Sequence, residues 1–176
     1  MENTGTIKTF SVPGGASDGS ITYVWKFWDG SVVVSTQPTV AKTLNTGGTG
    51  LPVTCEYCDC YGNSRTLSTT VDVNAPPVIV GSPRISANDK MFPFSSALSA
   101  SFYDPDGTTS ASTMKWFDGS TLLSTSSLVL ESTGTYAGTY AASYTNDRTI
   151  TQVIVDAASG TTKLDYYVRG YAASGL

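Results

Sequence analysis

A stretch of twelve residues that recurs 89 positions further along constrains this chain more than any other feature. Laying Trp25-Lys26-Phe27-Trp28-Asp29-Gly30-Ser31-Val32-Val33-Val34-Ser35-Thr36 on Met114-Lys115-Trp116-Phe117-Asp118-Gly119-Ser120-Thr121-Leu122-Leu123-Ser124-Thr125 gives six identities in twelve without a gap. Self-similarity at domain length means tandem copies of one module, each with its own core, and not a short-period solenoid. The 176 residues hold two such copies. Between them lies Asn74-Ala75-Pro76-Pro77, where the prolines end the preceding strand and keep the chain extended. The boundary is expected near residue 76, giving domains over 1–76 and 77–158 and a further segment over 159–176.

Each copy reads as β-structure. Charged residues are 14% and hydrophobic residues 40%, enough apolar material to offset the entropy lost on folding. The chain also carries 49 serines and threonines, 17 glycines and 10 tyrosines, a composition that favours strands and turns over long helices. The first copy is predicted to form strands over 8–12, 22–28, 31–36, 39–44, 51–60 and 65–73. The second follows the same order over 77–80, 98–103, 112–117, 121–124, 127–131, 136–144 and 149–156. The Asp29-Gly30 and Asp118-Gly119 dipeptides sit between apolar runs, where glycine supplies the positive φ of a tight hairpin. Period-two alternation points Tyr23, Trp25 and Phe27 inward and Lys26 outward; in the second copy Met114 and Trp116 face the core and Lys115 faces water.

Several function classes fall to composition. The formal net charge is −4 with no run of Lys or Arg, so nucleic-acid binding has no electrostatic basis. The chain has no histidine, which removes His-based acid–base catalysis, His-activated nucleophiles and His-containing metal sites. No phosphate-binding, dinucleotide-binding or hydrolase motif occurs. The N-terminus, Met1-Glu2-Asn3-Thr4, has neither a basic nor an apolar signal region, so translation is expected to start there without export processing. The longest apolar runs, Val78-Ile79-Val80 and Val153-Ile154-Val155, fall far short of the roughly 18 residues of a spanning helix, so no membrane insertion is expected.

An aromatic strand running into an Asp-Gly turn, then a later alternating strand and a Gly-Asn turn, resembles the PKD-type (polycystic kidney disease repeat) branch of the Ig-like sandwiches. Here these are Trp25-Lys26-Phe27-Trp28-Asp29-Gly30 and Val53-Thr54-Cys55-Glu56-Tyr57-Cys58-Asp59 with Gly62-Asn63, covering most of residues 8–74. Trp28 departs from the family, which has glycine there. The second copy is a looser Ig-like relative, and its Asp104-Pro105-Asp106-Gly107 is similar to a loop of bacterial and phage Ig-like repeats. The resemblance implies an all-β fold of two tandem Ig-like (PKD-type) β-sandwich domains. It implies binding, spacing or display, and it offers no catalytic residues.

Other constellations have a structural and a functional reading. Cys55, Cys58 and Cys60 lie on one predicted strand, Cys55 on the core face and the other two opposite; three thiols without histidine argue for reduced cysteines over a zinc site. Asp104 and Asp106, with Asp118, either hold a cation or simply build a turn, and no metal or other cofactor is expected. Trp28 and Phe117 occupy matching turn positions, where an aromatic either stacks on a sugar ring or caps its own domain. The first copy reaches its first strand almost at Met1 and is expected to lack a full edge strand, which either leaves a template for pairing or is simply a short, polar edge. The segment Leu164-Asp165-Tyr166-Tyr167-Val168-Arg169-Gly170-Tyr171 forms either an extra strand or an anchor whose contacts are Tyr166, Tyr167 and Tyr171.

Taken together, these features lead to the expectation of a non-enzymatic structural virion protein of a tailed bacteriophage, a capsid decoration or head-fibre protein made in the host cytoplasm. Its expected partners are the major capsid protein or other virion proteins, with weak adhesion to cell-surface glycans. The alternative is a spacer or carbohydrate-binding module of a bacterial secreted enzyme or adhesin, at the cell surface.

Overall fold

A computed structural model describes residues 1–15, 20–59, 61–107 and 112–172, and its described residues form strands and turns without a helix. The chain divides into two compact units, Met1–Ala75 and Pro76–Leu176. The division falls one residue before the expected boundary, because Ala75 is buried within the first unit and prolines 76 and 77 begin the second.

The first unit contains β1 (Glu2–Asn3), β2 (Ile7–Ser11), β3 (Ile21–Phe27), β4 (Val32–Ser35), β5 (Thr39–Thr43), β6 (Gly48–Asp59) and β7 (Ser64–Asn74). One sheet has the order β1-β7-β6-β3-β4, and among the described residues the facing sheet has only β2 and β5. Alternation along β3 buries Tyr23, Trp25 and Phe27 and leaves Lys26 exposed, as the sequence pattern requires. These aromatics pack with Phe10, Val40, Leu44, Val53, Cys55, Val71 and Val73; Phe10 meets Phe27 edge-on at 5.8 Å. The β3–β4 hairpin turns at Gly30, whose φ of 78° a side chain would resist.

The second unit contains β8 (Val78–Ile85), β9 (Lys90–Met91), β10 (Phe94–Tyr103), β11 (Thr113–Asp118), β12 (Thr121–Ser126), β13 (Val129–Ser132), β14 (Thr135–Tyr144), β15 (Arg148–Val155), β16 (Thr161–Val168) and β17 (Gly170–Tyr171). Two four-stranded sheets, β13-β14-β10-β8 and β12-β11-β15-β16, face each other, and β17 pairs with β9 in parallel. Leu98, Phe102, Met114, Trp116, Ile150, Ile154, Tyr166 and Val168 form the core, while Lys115 is half-buried. Gln152 is fully buried among them; the Tyr166 hydroxyl donates to its Oε1 at 3.0 Å and its Nε2 donates to Met114 Sδ at 2.7 Å. A buried amide so satisfied fixes one arrangement of its neighbours.

One expectation needs correction here. β8 runs to Ile85, well past the predicted 77–80, because Gly81 at φ 69° and a register shift opposite Ser99 and Ser101 let the strand bend and continue pairing with β10. Of the two readings of segment 159–176, an extra strand or an anchor, its described part takes the strand. Thr161–Val168 pairs in unbroken antiparallel register with β15, and Tyr166 and Val168 supply the core.

The repeat is visible in the pairing. Trp25 lies opposite Cys55, and its counterpart Met114 lies opposite Ile154; Cys55 in turn faces Leu67 across the next pair, as Ile154 faces Thr162. Leu67 and Thr162, Thr69 and Leu164, Val71 and Tyr166, and Val73 and Val168 therefore hold equivalent places in the two units.

Candidate functional site

The residues singled out from sequence fall in both units, Trp28 in the first and Phe117, Tyr166, Tyr167 and Tyr171 in the second. Trp28, placed at the β3–β4 turn, is half-buried and edge-on to Phe27 at 6.0 Å. The Lys42 ammonium lies 5.0 Å from the Phe27 ring centre and 6.0 Å from that of Trp28. Lys42 also binds Asp29 Oδ2 at 2.5 Å and Ser31 Oγ at 2.7 Å. The Lys42 ammonium, followed by the Ser31 hydroxyl, lowers the Asp29 carboxyl to about 2. The Trp28 Nε1 is buried with no acceptor among the described residues. Trp28 is thus packed against the core of its own unit, with the Lys42 ammonium over its ring. Phe117 is likewise half-buried, beside Asp118, which pairs with Arg148.

Of the three tyrosines, Tyr166 is removed as a surface anchor: it is 1% exposed, 5.5 Å from Trp116 between ring centres, and burial raises its hydroxyl well above the ordinary tyrosine value. Strand alternation carries the reason, since Leu164, Tyr166 and Val168 share the inward face of β16. Tyr167 and Tyr171 point the other way and are 56% and 58% exposed. Tyr167 flanks a groove of about 370 Å³ with Asn88, Asp89, Asp165 and Arg169. Asn88 braces its wall, donating to the Tyr167 carbonyl at 3.2 Å and accepting from the Arg169 amide at 2.6 Å.

Asp104 and Asp106 are buried, and the Asp104 carboxylate accepts from the Asp106 amide at 3.2 Å while its carbonyl accepts from Gly107, which is turn geometry. Among the described residues no group of three His, Cys, Asp or Glu side chains is placed to hold a metal ion. Cys55 is a buried thiol raised by desolvation, and Cys58 is half-buried and free. Cys60 lies outside the described residues.

Pattern reasoning passed over two features. Apolar side chains are exposed along strand edges: Val32, Val33 and Val34 on β4, Leu122 and Leu123 on β12, and Val129 and Leu130 on β13. In addition, the first unit carries a groove of about 300 Å³ lined by Phe10, Val12, Trp25, Val53, Cys55 and Leu67 among others. The Trp25 Nε1 is buried there with no acceptor among the described residues, a state that costs about 1–3 kcal/mol. An exposed apolar run at a strand edge suits association with another protein surface.

No protein family matches the sequence, and no curated protein does. Solved structures match by fold. The N-terminal eight Ig domains of Down syndrome cell adhesion molecule, isoform 1.30.30, align over 97% of this chain and 23% of that one, with a TM-score of 0.63 and 16% identity. The insect immune protein hemolin aligns over 97% and 44%, with a TM-score of 0.53 and 11% identity. The chain therefore spans about a quarter of the first and less than half of the second. At these identities the likeness concerns the fold alone, and with the strand order above it makes this an all-β chain of tandem Ig-like β-sandwich domains.

Proposed function

We propose that the chain is a non-enzymatic recognition protein that acts through binding energy alone, in the setting of a tailed-bacteriophage virion as a capsid decoration or head-fibre protein of PKD-type Ig-like domains. The observation that carries this reading is where the apolar surface lies. Exposed valines and leucines sit on the sheet edges β4, β12 and β13, and exposed tyrosines sit at Tyr167 and Tyr171. Such surfaces suit protein contact, and the low charge of the chain suits a protein partner better than a nucleic acid. The major capsid protein or another virion protein is the partner in this reading, with cell-surface glycans as a weaker one through Tyr167 beside Asp165 and Arg169.

The test is co-sedimentation with phage particles stripped of accessory proteins. The intact chain is expected to rebind saturably, and a Tyr167→Ala/Tyr171→Ala chain is expected to rebind more weakly. Both side chains are exposed, so the variant keeps its fold, whereas truncation after Ala158 would remove β16 and its buried Tyr166 and Val168. Failure of the intact chain to rebind would overturn the virion reading.

A second reading, a spacer or adhesion module of a bacterial secreted enzyme or adhesin, is favoured by the description of the first fold neighbour as a cell adhesion molecule and by the implications for homophilic adhesion named for hemolin. Binding to cells or glycans without rebinding to particles would select it.

A further inference from the structure

The groove in the first unit has a built-in standard of comparison in the second. There, β8 pairs antiparallel with β10, its Ile79 and Ile85 pack on the core, and the Thr162 hydroxyl of β16 donates to the Pro77 carbonyl at the start of that strand. The edge strand thus closes the space between β10 and β16.

In the first unit the same place is open. Among the described residues β2 pairs only with β5, and the outer edge of β7 pairs only at Val73 and Asn74, with β1. Leu67, the equivalent of Thr162, lies on the inward-facing side of β7 with Val71 and Val73, yet it is 39% exposed. The floor beneath is Trp25, Val53 and Cys55, with the orphaned Trp25 N–H among them. Among the described residues that line it, the Cys55 thiol alone is ionisable. Two free strand edges, an apolar floor and a buried donor in want of an acceptor are what an added strand uses: backbone hydrogen bonds at its margins, alternate apolar side chains inward, and a carbonyl for the indole.

We infer that the groove between β2 and β7 is an acceptor for an extended segment of a partner polypeptide, apolar at alternate residues and uncharged where it faces the groove, which pairs antiparallel with β2 as β8 pairs with β10. This goes beyond the proposed function and does not depend on the virion assignment, because it specifies a local binding mode that any setting would share.

The experiment uses the full chain and, as a probe, a fluorescently labelled peptide with the sequence of residues 77–85. Saturable binding by anisotropy is expected, weakened at least about tenfold by Leu67→Lys and unchanged by Leu122→Lys on the far edge strand β12. To keep weak affinity from hiding the site, the same peptide is also tethered ahead of Met1 by a flexible Gly/Ser linker, which raises its effective concentration. Slower amide exchange over Ile7–Ser11 is then expected. Absence of both binding and tethered protection overturns the inference, as does binding that ignores Leu67→Lys. Concentration-dependent self-association of the chain, abolished by Leu67→Lys, would overturn the assignment to a separate partner and give the groove to a second copy.

Discussion

The two units share the register of their three central strands but differ in the sheet that covers them. In the second unit four strands, β13-β14-β10-β8, cover β11, β15 and β16; in the first, among the described residues, β2 and β5 alone cover β3, β6 and β7. The same strand position is accordingly half-buried in one unit and exposed in the other. Leu164 of β16 is half-buried, while its equivalent Thr69 is exposed, as is every residue from Ser64 to Thr70. A sandwich tolerates this because a residue's depth depends on the opposite sheet, whereas its pairing depends only on its own. The first unit keeps the pairing and gives up part of the cover.

The largest effect expected from this contrast is at Tyr166. Tyr166→Ala removes a buried ring packed against Trp116 and leaves the Gln152 Oε1 without its donor, so it should lower the stability of the second unit by about 3–5 kcal/mol in urea titration. A loss below about 1 kcal/mol would mean that β16 is not a core strand and would restore the reading of residues 159–176 as a tail.

Next in size is an overpacking pair. A Cβ on Gly138 would meet Met114 Sδ at 2.3 Å in a core with no slack, so Gly138→Ala should cost about 1–3 kcal/mol. Thr69→Ile in the first unit adds volume at the mouth of an open groove and should stay within about 0.5 kcal/mol of the parent. Equal costs would show that the groove closes in solution.

These contrasts also mark how far the sequence could be read. The repeat, the inward aromatics of β3 and the buried Met114 and Trp116 were legible because each is a local pattern, period two between turn signals, which the sheet obeys. β16 had the same alternation in Leu164, Tyr166 and Val168, but it follows strands that already complete a sandwich on paper, so the pattern alone did not separate core from anchor. The two-residue strands β1, β9 and β17 are too short to have a period. Trp28 reads as outward by alternation and is nonetheless half-buried, because beyond the end of β3 the chain turns and its ring packs against the core edge-on to Phe27. The open edge of the first unit was legible from comparing the two copies, whereas the groove's floor of Trp25, Val53 and Cys55 was not, since which side chains an open edge leaves bare depends on the facing sheet.

A smaller effect separates the units by pH. The Asp29 carboxyl sits at about 2 in the folded chain against an ordinary value of 3.8. Because the folded value is depressed, the stabilisation is complete above about pH 4 and is lost as pH falls towards 2. The pair with Lys42 lies near the surface and is screened by solvent, so the loss should be below about 1 kcal/mol. Lys42→Met should flatten that part of the acid-unfolding profile of the first unit. An unchanged slope between pH 4 and 2 would show that Lys42 is not what holds the carboxylate.

The smallest expected effect is the most informative. Leu67 faces inward by strand parity, and a core leucine there would cost about 2–5 kcal/mol on truncation. At 39% exposure and with no strand above it, Leu67→Ala should instead change the stability of the free chain by no more than about 0.5 kcal/mol, within the range of surface substitutions. An inward leucine that contributes so little to folding retains its apolar surface for another chain to bury. If Leu67→Ala destabilises the free chain as a core deletion does, the first unit already covers this position by itself and is as complete a sandwich as the second.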